Sequence, residues 1–123
     1  MQTQTAQNLS DVWLPLPRKI ELTILLEELD LTYVPSKITS LVRRVQELIK
    51  SAAMLRGNDL LLAFITIRQA AYLAERENCS EEIIIPLIAA EDMLAAPFTD
   101  SLKALWQSRV TQPENIVDSG RDR

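Results

Sequence analysis

Histidine is absent from this 123-residue chain. That omission removes imidazole acid–base catalysis, Ser-His and Cys-His nucleophile pairs, and most zinc sites. Cysteine is nearly absent: Cys79 stands alone, which excludes an intramolecular disulfide and a cysteine metal cage. The two glycines, Gly57 and Gly120, are too few for the turns of an all-β protein of this size. No Gly-rich phosphate loop, dinucleotide fingerprint, nucleophile elbow or zinc spacing occurs. No uninterrupted apolar run reaches the roughly 18–20 residues that span a bilayer. The polar start "MQTQTAQNLSD" has neither the basic residues nor the apolar stretch of a secretory signal. The expectation is a cytoplasmic chain with no cofactor, no bound metal and no membrane partner.

What is present has the balance of one globular domain, with 47% hydrophobic and 24% charged residues. A net charge of −4 gives no general attraction for nucleic acid or anionic membranes. Leu, Ile, Ala, Glu and Arg dominate, which favours helices. The fold class expected is all-α, a compact bundle of four to five antiparallel helices with disordered termini. Residues 1–10 and 111–123 read as flexible tails around a single helical domain at 11–110.

Along that domain, "DVWLPLP" reads as an extended segment laid on the body, burying Trp13. A first helix is predicted from Pro17, with Ile20, Ile24 and Leu31 on one face, widened by Leu22, Leu25 and Leu29. The second helix is the clearest: Ser36 as N-cap, then Ile38, Leu41, Val45, Leu48, Ala52 and Leu55, with Val42 and Ile49 alongside and Gly57 as C-cap. The third, from Asn58 or Asp59 to about Asn78, opens with "LLLAFITI", apolar on every side as in the most buried helix of a bundle. Core packing accounts for Phe64 and Tyr72. In "NCSEEIIIPLIAAEDML", Ile83, Leu87, Ala90 and Leu94 share one helical face. A single helix kinked at Pro86 is favoured over a new start there. Pro97 is expected to end it, leaving a short last helix with Leu102, Leu105, Trp106 and Val110 along one side. The resemblance of "AAMLRGNDLLLAFI" to "AAYLAERENCSEEIIIPLI" reads as shared helix patterning rather than duplication.

Three constellations carry candidate chemistry. Between Lys37 and Arg56 stand five bases and one acid, so Lys37, Arg43, Arg44 and Lys50 could serve a helix-turn-helix element with Thr32 to Pro35 as its turn. Against this, Arg43, Glu47 and Lys50 have the spacing of a self-paired solvated surface. Residues 77–100 carry six acids and no base. The acids flanking Pro86 are expected to be a capping group, Glu81 and Glu82, and a solvated pair, Glu91 and Asp92. Glu27-x-x-Asp30 is of the kind found in all-α nucleotide pyrophosphohydrolases, but the second acidic motif such sites need is missing. Cys79 has Glu77, Glu81 and Glu82 around it, which disfavours a thiolate and points to a structural cysteine.

Trp13 and Trp106 lie in terminal elements with little packing of their own, so they are the candidate partner contacts. The functional expectation is a non-enzymatic protein–protein interaction module (a small regulator, adaptor or assembly factor), oligomeric or part of a larger complex. The alternative is a nucleic-acid-associated helical protein using the basic second helix. The basic second helix and the acidic 77–100 stretch could complement each other within the bundle or across a dimer.

Overall fold

A computed structural model describes residues 11–110, with side chains up to Ser101. Four helices account for it: α1 Leu16–Glu27, α2 Ser36–Ser51, α3 Gly57–Arg76 and α4 Glu81–Val110. Among the described residues there is no strand, only one isolated bridge between Trp13 and Arg56. The segments 1–10 and 111–123, read above as tails, lie outside the described residues. No described helix is long and apolar enough to cross a membrane.

The segment before α1 is extended, and it is held by the backbone. Leu14 N–H donates to the Leu55 carbonyl and Gly57 N–H donates to the Val12 carbonyl, each at 2.9 Å. Side chains alternate along an extended segment, so Val12 and Leu14 enter the core while Trp13 turns outward beside Arg56. Trp13 is thus half exposed, which corrects the expectation that the strap buries it. Gly57 is likewise corrected: it does not cap α2 but opens α3, with φ +57° and a buried Cα against the strap. A side chain there would meet both the left-handed backbone penalty and the extended segment at Val12.

Prolines start the first two helices. Pro15 and Pro35 hold extended backbone and offer their carbonyls to Lys19 N–H and to Ile38 and Thr39 N–H. Ser36 is therefore the first helical residue of α2 rather than its cap. The buried face of α1 is Leu22 and Leu26, and Leu25, Leu29 and Leu31 pack at its edge, while Leu16, Ile20 and Ile24 face outward; of the expected face, Ile20 and Ile24 are corrected. Periodicity could not decide this, because α1 carries aliphatic residues on two sides. In α2 the buried line is Ile38, Val42, Val45 and Ile49, with Leu41 and Leu48 half-buried at its edge.

Helix α3 packs against both α2 and α4, and α1 packs against the same two neighbours. Small residues at these seams (Ala63, Ala70, Ala71 and Ala74 on α3, Ala90 on α4) are all buried and allow close approach. Thr66, also buried, returns its hydroxyl to the Leu62 carbonyl at 2.7 Å. The α3–α4 turn is a left-handed cap. Asn78 sits at φ +59°, Cys79 N–H reaches the Ala74 carbonyl and Asn78 N–H reaches that of Glu75. That is the paired bonding of a Schellman motif.

Helix α4 runs unbroken for 30 residues with both Pro86 and Pro97 inside it. Pro97 therefore does not end it, and among the described residues no separate last helix follows. A proline removes one ladder bond, but the preceding and following turns keep theirs when packing holds them. Ile83, Leu87, Ala90 and Leu94 form its buried line, as the spacing predicts.

Candidate functional site

Among the described residues, the chemistry-bearing side chains do not converge on a metal site. Among the described residues, no group of three or more His, Cys, Asp or Glu side chains is arranged to hold a metal ion. Every buried side-chain nitrogen or oxygen there has a hydrogen-bond partner. Glu27 and Asp30 share a shallow polar recess with Thr32, Arg43 and Gln46. Asp30 is committed within its own loop, accepting from the Thr32 hydroxyl at 2.6 Å and the Thr32 N–H at 3.1 Å. Those bonds, the hydroxyl's first, hold its carboxyl below the usual aspartate value.

Cys79 is half-buried and packs against the core. It occupies the Schellman position whose side chain folds back over the last helical turn, which is reason enough for a small apolar residue there.

The bases of α2 are all exposed: Lys37, Arg43, Arg44 and Lys50, with Arg56 just beyond. Among the described residues the ion pairs are Arg18–Glu21 and Arg68–Glu91, each at 3.8 Å. The expected self-pairing of Arg43, Glu47 and Lys50 is therefore not formed. Glu91, expected to be solvated, is half-buried and paired across to α3, while Asp92 remains exposed. The link between α1 and α2 spans residues 28–35, longer than the three or four residues of a helix-turn-helix turn.

Exposed apolar side chains do converge, and on α3. Leu62, Ile65 and Tyr72 remain 46%, 45% and 59% exposed, although the helix belongs to the core. They fall within one outward sector of α3, opposite Leu60, Ala63, Ile67 and Ala74. Tyr72 is thus not core, contrary to expectation. Phe64 keeps its core role, half-buried with its ring 6.3 Å from that of Phe98.

Between α2 and α3 this face opens into a groove of about 620 Å³, lined by Lys37, Leu41, Ile65, Arg68, Gln69, Tyr72 and Leu73. Its charged lining residues are both basic. On α4, Ile85 and Ile88 are also exposed, between the exposed acids Glu81 and Asp92. The wheel position of Leu62, Ile65 and Tyr72, opposite the Leu60–Ala74 line, is the signal that the sequence reading passed over.

Of the two candidate tryptophans, Trp13 lines a second recess with Pro15, Arg18, Met93 and Pro97, where the strap meets α4. Trp106 lies in the part of α4 whose side chains are outside the described residues.

The class these observations define is an all-helical domain with four helices among its described residues. Comparison with protein-family models, with curated proteins and with solved structures finds no match to the chain.

Proposed function

We propose that this protein is a non-enzymatic interaction module, a small regulator, adaptor or assembly factor that works as an oligomer or as a subunit of a larger complex. The observation that carries the reading is the outer face of α3. A helix built into the core keeps Leu62, Ile65 and Tyr72 half open, and a groove with basic lining residues runs beside them. Contiguous apolar surface with a polar rim is the ordinary signature of a docking face. Trp13, outward beside Arg56, is a second contact point on this reading.

The architecture proposed with it is an antiparallel bundle. Phe64 meets Phe98 and Arg68 meets Glu91, so α3 numbers rise as α4 numbers fall. The short links at residues 52–56 and 77–80 favour the same sense for neighbouring helices.

The test is a labelling experiment on the complex isolated from the cells that make the protein. A small radical reagent should modify Tyr72 and Leu62 in the dilute, isolated chain and spare both in the complex. Equal labelling in the two states would remove the reading.

The exposed bases of α2 support a second reading, a nucleic-acid-associated protein using Lys37, Arg43, Arg44 and Lys50. It predicts DNA or RNA binding that falls steeply with salt, by a log–log slope of about −0.9 per neutralised phosphate on duplex DNA. No binding to either nucleic acid at low salt would eliminate it.

A further inference from the structure

Resting on the reading of the outer α3 face as a docking surface, we propose that its occupant is a second copy of this chain, paired about a two-fold axis running along α3.

The order of groups across this face is the basis. On one flank α3 meets α4 through Phe64–Phe98 and Arg68–Glu91. Moving outward around α4 from Glu91, the exposed residues are Ile88, Glu81, Thr99, Asp92 and Ile85, a stripe with two apolar side chains, two acids and a threonine. On the other flank Leu73 of α3 shares the groove with Leu41 and Lys37 of α2. Lys37, Leu41, Arg44 and Leu48 follow one another at helical spacing along that edge of α2, and both bases are exposed. The face therefore reads acidic and apolar on α4, apolar on α3, and basic on α2.

Such a face is complementary to itself under one particular symmetry. A two-fold rotation about a line in the contact plane, parallel to α3, exchanges the two edges. The basic edge of each copy then meets the acidic edge of the other, with the α3 helices side by side at the centre. An axis running across the helices would instead set like charges against each other. Within one copy the complementarity is unused. Helices α2 and α4 are not a packed pair, and no ion pair joins them among the described residues.

The test uses the full chain and two charge-reversed variants, Lys37→Glu/Arg44→Glu and Glu81→Lys/Asp92→Lys, with light-scattering mass as the readout. All four positions are exposed, and circular dichroism checks that helicity is retained. The wild-type chain should dissociate from dimer to monomer on dilution. Each variant alone should be monomeric, because both of its edge contacts now repel. An equimolar mixture should regain the dimer, because the reversed edges attract in both contacts. Ile65→Asp, at the centre of the face, should abolish the dimer without rescue by mixing.

A wild-type chain that is monomeric throughout the series overturns the pairing, as do variants that dimerise like wild type or a mixture that stays monomeric. In any of these cases the docking reading is judged separately, by protection of Tyr72 in the cell-derived complex. Protection in a complex holding only one copy of the chain would keep that reading and overturn the pairing.

Discussion

Gly57 is the residue whose backbone ties the N-terminal strap to the helices. It adopts φ +57°, opens α3, and donates its N–H to Val12. Gly57→Ala should cost about 1–2 kcal/mol from the left-handed penalty alone. A cost of that size lowers Tm by several degrees in a domain of about 100 residues, which calorimetry would register.

Asp30 makes a pH prediction at the same scale. Its folded-state pKa is lowered by Thr32, so its contribution to stability is present above the ordinary aspartate value and is lost as pH falls through the folded-state pKa. In Thr32→Val the hydroxyl bond is gone and the Asp30 pKa, followed by carboxyl NMR, should rise toward the ordinary value. Residue-level orientation was the least legible part of the sequence. Nothing local says whether Val12 and Leu14 or Trp13 turns inward, because that is decided by pairing with Leu55–Gly57, over forty positions away.

At the scale of elements, Lys19 connects two helices. Its ammonium donates to the Ala52 carbonyl at 2.6 Å and to that of Ala53 at 3.2 Å, just past the last turn of α2. A cation there satisfies free carbonyls and faces the negative end of the helix. Lys19→Met, which keeps the stem, should cost about 1.5–3 kcal/mol in denaturant unfolding, the range of hydrogen bonds to a charged group. An unchanged midpoint would show that water serves those carbonyls equally well. The helices themselves were legible wherever one aliphatic stripe stood against a polar side, as in α2 and in the Ile83–Leu94 line of α4. The spacing misled in α1, where Ile20 and Ile24 compete with Leu22 and Leu26, and at Pro97, where tertiary packing carries α4 past a residue that local rules treat as a stop.

The whole molecule combines a well-satisfied interior with an incompletely covered exterior. Its core is a continuous set of Leu, Ile, Val and Ala side chains from the strap and all four helices. Of the helices, α2 presents a polar outer side, while α1, α3 and α4 each leave large aliphatic residues in the open. The opposed charges of α2 and the 77–100 stretch were visible in the sequence. Their separation to either side of α3 was not, since only packing order reveals it. Self-pairing through such edges should weaken as ionic strength rises, but less steeply than phosphate binding by the same bases.

The central claim is that the outer face of α3 is built for protein contact. The most direct measurement is the light-scattering mass of the chain purified from the cells that make it, beside Ile65→Asp prepared in the same way. The account predicts a wild-type mass well above the 13.9 kDa of one chain, and an Ile65→Asp protein that returns to that value with its helicity unchanged. A wild-type chain at 13.9 kDa with nothing bound would contradict it.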